Sequence, residues 1–120
     1  MRVIVFVKAT VASEERTDIT PELKQSMQEM EKFNDELRKA GLLVMAEGLK
    51  PSSAGKRVAF FEKDRKVSDG PFPHPSDLVA GFWIWNVKDM DQAVEWVKRC
   101  PNPMSGPSEI EIRPFNDMNE

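Results

Sequence analysis

Val79-Ala80-Gly81-Phe82-Trp83-Ile84-Trp85-Asn86-Val87 is the most apolar stretch of the chain, and its reading decides the fold. At strand periodicity, Phe82, Ile84 and Asn86 share one face while Trp83, Trp85 and Val87 share the other. Both faces therefore need cover, which places this strand in the middle of a sheet. Upstream, Asp69-Gly70-Pro71-Phe72 breaks the chain. Gly70 permits a positive φ, Pro71 fixes its own φ and lacks an N–H, and Asp69 can bond backbone two residues on. A carboxylate is thus expected on a stiff turn before the central strand. That is either turn punctuation or the start of a site.

Further outward, Val3 to Val7 is a second apolar run, with Val3, Val5 and Val7 on one side and Ile4 and Phe6 on the other. Residues 9–19 are polar and read as a loop. Thr20 then Pro21 is a helix start, an N-cap followed by proline at the first helical position. Leu23, Met27, Met30, Phe33 and Leu37 make one apolar stripe on that helix, which Gly41 closes. The methionines read as core filler rather than a cofactor box. Leu42 to Leu49 and Arg57 to Lys63 read as strands. Lys63-Asp64-Arg65-Lys66 reads as a hairpin turn that returns through Val67 to Asp69. Asp89 and Gln92 have capping-box spacing for a helix that turns Met90, Ala93, Val94 and Val97 inward, and Trp96 reads as packing on it. Ser108 to Arg113 is a last strand, with Ile110 and Ile112 inward.

Without the hairpin insert the order is β-α-β-β-α-β, a ferredoxin-like α+β pattern. Two such helices cover one face of a four-stranded sheet, yet two strands are apolar on both faces. A homodimer packed sheet against sheet, a dimeric α+β barrel with a ligand cavity between the sheets, is the simplest solution. One domain over residues 1–114 and a polar, frayed tail over 115–120 are expected.

Composition narrows the function. The 120 residues carry 17 Lys and Arg against 20 Asp and Glu, a formal net charge of −3. No more than two basic residues are adjacent, which argues against nucleic acid as a partner. No apolar run approaches a membrane span, and the first residues read as a strand rather than a signal peptide, so a cytoplasmic location is expected. Cys100 is the one cysteine and reads as a half-buried thiol at a helix end. One histidine and scattered acids lack metal-ligand spacing, so no metal and no cofactor are expected. Lys50 to Lys56 contains Gly-Lys but not the first glycine of a phosphate loop.

Asp69 and His74 are the candidate acid–base pair, five residues apart on a proline-stiffened loop. The plain alternative makes Asp69 a turn builder and His74 a solvated residue. Glu47, in an otherwise apolar strand, is a third catalytic candidate. It faces a cavity with a raised pKa, points to solvent, or pairs with Arg57 across the sheet. Ser52 and Ser53 follow a proline and cap or line a pocket, since no nucleophile-elbow context surrounds them. Ser52 and Phe72 are candidate ligand contacts. Trp83 and Trp85 are expected to line the core between two sheets, where either could stack on an aromatic ligand.

Val67-Ser68-Asp69-Gly70-Pro71-Phe72 followed by Ala80-Gly81-Phe82-Trp83-Ile84-Trp85 resembles the DGPF-domain, YCII-related family. So do Glu47-Gly48-Leu49-x-Pro51-Ser52 and Ala93-x-Glu95-Trp96-x-x-x-Cys100-Pro101. The blocks are collinear and the resemblance runs from residue 1 to about 114. It implies a dimeric α+β barrel. Related barrels include small enzymes of aromatic breakdown and monooxygenase-like proteins, and some members are linked with sigma-factor regulation. In wider relatives an early-helix histidine is proposed to work with an aspartate; here that segment is Thr20-Pro21-Glu22-Leu23, with no histidine. Members often continue the signature as Ala-Glu-Thr-Lys-Glu, where this chain has Pro73-His74-Pro75-Ser76-Asp77. The expected function is a small-molecule-binding domain, with acid–base chemistry near the Asp-Gly-Pro-Phe turn as its enzymatic form. A non-catalytic regulatory or binding homodimer is the alternative.

Overall fold

The computed structural model describes residues 1–117 and is a mixed α+β arrangement. Four strands, β1 (Arg2–Lys8), β2 (Leu43–Gly48), β5 (Val79–Asn86) and β6 (Ile110–Pro114), form an antiparallel sheet in the order β2-β5-β1-β6. Two more, β3 (Lys56–Phe61) and β4 (Asp64–Asp69), form a separate hairpin. The helices are α1 (Val11–Glu15), α2 (Pro21–Lys39) and α3 (Met90–Arg99). The two long helices and the strand order are compatible with a ferredoxin-like arrangement, with β3 and β4 as its insert.

Strand β5 is central, as its two apolar faces require. It pairs with β1 through Val3 opposite Trp85 and Val5 opposite Trp83. These four side chains are buried beneath α2 and α3, with Phe33, Leu37 and Ala93. Trp83 and Trp85 therefore face the helix layer, not an inter-sheet space. The reason is size: on this face the indoles meet Phe33 edge-on and tilted, with centroids 6.0 and 6.3 Å away, a contact that helix α2 supplies and a flat sheet does not. Burying each such side chain contributes about 1.5–3 kcal/mol. Trp83 Nε1–H donates to Asn34 Oδ1 at 2.7 Å, so the one buried polar side chain of α2 is satisfied.

Alternation turns Ile4, Phe6, Phe82 and Ile84 to the opposite face. They pair as Ile4 with Ile84 and Phe6 with Phe82, and are half-buried.

The expected caps are present. Thr20 accepts from Leu23 N, and Asp89 accepts from Gln92 N at 2.9 Å. Gln92 Oε1 accepts from Lys88 N, one residue before the position a capping box would use.

Four local expectations are corrected. Residues 9–19 hold α1, nucleated by Thr10 and Ser13 capping one another reciprocally. The hairpin reverses at Glu62-Lys63, with Glu62 at φ 50°, so β4 already begins at Asp64 and the charged run lies in a strand. Val94 is exposed rather than inward. Phe115 and Asp117 are docked rather than frayed: Arg2 lies 4.5 Å over the Phe115 ring and 2.9 Å from Asp117. The rest of the expected tail, residues 118–120, lies outside the described residues.

Candidate functional site

A cavity of about 350 Å³ opens on the helix side of the sheet, between α1, α2 and the paired ends of β2 and β5. That volume lies at the small-ligand end of protein binding sites. Its origin is local. Gly48 and Gly81 face each other across the β2–β5 ladder, so the sheet has no side chains there. A Cβ on Gly48 would meet nothing within 4 Å. Above this bare patch, the first turns of α2 carry Leu23, Ser26, Met27 and Met30. Phe33 and Leu37 later in the same stripe are buried, whereas Met27 keeps 56% of its surface exposed. The stripe that reads as continuous core is core only in its second half. Trp83 forms part of the cavity wall.

Glu14 lines one side and is held there by Ser52. The Glu14 carboxylate accepts from Ser52 N at 2.9 Å and from Ser52 Oγ–H, and Ser52 Oγ in turn accepts from Phe72 N at 3.0 Å. One serine thus ties α1 to the Asp-Gly-Pro-Phe turn. Gly70 is required by the same packing, because a Cβ there would lie 1.7 Å from the Ser52 carbonyl oxygen. Its role is close approach, not a positive φ: Gly41 is the glycine in that region, at 75°. Gly70 N donates to Gly55 O at 3.0 Å, and Arg57 lies 4.0 Å over the Phe72 ring.

The sequence-derived candidates divide. Trp83 lines the cavity, whereas Glu47 borders it but stands opposite Phe82 in the β2–β5 register, which turns its exposed side chain to the other face of the sheet. Glu47 does not pair with Arg57, because β2 and β3 belong to different sheets. Ser52 and Phe72 support the wall from behind through the bonds above. Trp85 is fully buried in the core and reaches no cavity. Asp69 and His74 are not brought to it. The Asp69 carboxylate is held by Lys56 across the hairpin. His74 is exposed, with φ 61° and ψ 74°, at the start of a single 3-10 turn, and makes no hydrogen bond or ion pair with Asp69 among the described residues. Sequence reading missed Glu14, Arg16, Gly48 and Gly81. The glycines signal a cavity only once the strand register is known; Glu14 lay in a segment read as loop.

Cys100 is half-buried at the end of α3, and burial pushes its thiol up to about 12. Its Sγ–H points to Pro101 O at 3.2 Å. Such a thiol is not a nucleophile near neutral pH. Among the described residues no group of three or more His, Cys, Asp or Glu is gathered to hold a metal ion, and no helix is long and apolar enough to cross a membrane.

The family model of the YCII-related domain matches residues 1–116. No curated protein matches the chain.

Proposed function

The chain belongs to the YCII-related family, and we propose that it binds a small, largely apolar ligand in the cavity beneath α2 and works as a homodimer. The observation that carries the binding reading is the side-chain-free patch at Gly48 and Gly81, roofed by Met27 and Met30 and walled by Trp83. An unstrained fold has no need to leave that space open where a larger residue at position 48 would meet no neighbour. Flexible thioethers suit a wall that must fit itself to a guest.

Of the three residues expected to carry acid–base chemistry, Glu47 borders the cavity but shares the opposite sheet face with Phe82, and Asp69 and His74 lie away from it. Binding is therefore proposed rather than proton transfer by an Asp69–His74 pair. The homodimer rests on the second sheet face, where Ile4, Phe6, Phe82 and Ile84 form an apolar patch opposite the helices.

A neutral probe, 1-naphthylacetamide, tests the cavity by isothermal titration. Binding by the unaltered chain, and a loss of at least about ten-fold in Gly48→Leu, are expected, since the new side chain fills the space. Absence of binding, or equal binding by Gly48→Leu, contradicts the reading.

A further inference from the structure

The charged groups at the cavity mouth differ in how far they are already engaged. The chain has seven arginines. Arg2 pairs with Asp117, Arg38 with Glu31 and Asp35, Arg99 with Glu36, and Arg113 with Glu111. Arg57 lies over Phe72, and Arg65 donates to the Glu62 and Asp64 carbonyls. Arg16 has no ion pair, hydrogen bond or ring partner among the described residues, and it is the arginine that lines the cavity. It directly follows α1, at its C-terminal flank. Lys50, across the mouth, likewise has no ion pair among the described residues. Glu14, an acid that lines the same cavity, has both carboxylate oxygens engaged by Ser52. Glu47 stands opposite Phe82 in the register and so presents its carboxylate to the other face of the sheet.

Resting on the binding reading above, we infer that the ligand joins an apolar body to one carboxylate, and that Arg16 receives the carboxylate. A guanidinium presents paired N–H groups that match the two oxygens of a carboxylate, which an ammonium does not. The apolar body then lies inward against Met27, Met30 and Trp83. Lys50 adds charge without fixed geometry. Glu14 spends one acceptor site of each oxygen on Ser52 and makes no bond to Arg16 among the described residues.

The test compares 1-naphthylacetate with 1-naphthylacetamide, which share shape and differ in charge, by isothermal titration on the intact chain. The acid is expected to bind about ten-fold more tightly than the amide, as loss of a charge-assisted hydrogen bond would give. Arg16→Gln should erase that difference by weakening the acid, and Arg16→Lys should keep part of it. Lys88→Gln, an exposed cation far along the chain, should change binding of neither probe. Equal binding of acid and amide, or an acid preference that survives Arg16→Gln, overturns the inference while leaving the cavity intact as a site. Failure of both probes to bind overturns the cavity reading and the inference together.

Discussion

Gly70 sits so close to the Ser52 carbonyl that a single added methyl must displace backbone. Gly70→Ala is expected to cost about 3 kcal/mol, the upper end of overpacking penalties, and urea unfolding measures it. Gly48→Ala, with open space around its Cβ, should be near neutral or slightly stabilising, so the pair separates close approach from glycine content. Cys100 carries a second residue-scale prediction. Its folded pKa is raised from 9.0 to about 12, so the folded state holds the thiol proton more tightly than the unfolded chain. The stability this contributes is complete below about pH 9 and is lost as pH rises from there towards about 12. At neutral pH iodoacetamide should label the native protein far more slowly than the unfolded one, and comparable rates would contradict a buried thiol. The sequence showed that position 69 begins a turn and that Cys100 ends a helix, because Gly, Pro and capping chemistry are local. It did not show that Lys56 takes the Asp69 carboxylate, because that pair depends on the register of a hairpin whose turn falls at Glu62-Lys63.

Helix α2 is one element with two jobs, and substitution should separate them. Phe33 is packed against both core tryptophans, so Phe33→Ala is expected to cost about 3–5 kcal/mol. Met27 is largely exposed over the cavity, so Met27→Ala should cost well under about 1 kcal/mol and alter ligand binding instead. Denaturant curves of the two variants check this. The linkage of α1 to the Asp-Gly-Pro-Phe turn rests on Ser52, whose hydroxyl both donates to Glu14 and accepts from Phe72 N. Ser52→Ala leaves the Phe72 N–H and one Glu14 oxygen without that hydroxyl, while the Ser52 N–H still donates to the other oxygen, and should cost about 1–3 kcal/mol. Element positions were readable from the chain because Thr20-Pro21, Asp89 and the alternating Val, Ile and Phe of β1 are strong local signals. Helix α1 was not, because a five-residue helix has no apolar period and rests on one reciprocal cap. The cavity was not either, since it appears only when Gly48 and Gly81 are brought side by side.

At the scale of the molecule, one sheet has two unlike faces. The helix-covered face holds Val3, Val5, Trp83 and Trp85; the other presents Ile4, Phe6, Phe82 and Ile84. The apolar alternation in the sequence required two covered faces, and only one is covered within the chain. If a second copy covers the other, Phe6→Lys should convert a dimer to a folded monomer in sedimentation. A monomeric unaltered chain would contradict the dimer. The cavity lies on the opposite side, so ligand binding should survive in that monomer. The central claim is that the ligand sits beneath α2, and the indole N–H resonances of the three tryptophans report on it most directly. Titrated with 1-naphthylacetate, the Trp83 Nε1–H signal is predicted to shift most, because Trp83 walls the cavity and its N–H is held by Asn34. Unmoved Trp83 with shifts confined to Ile4, Phe6 and Ile84 would place the ligand on the open face and contradict the account.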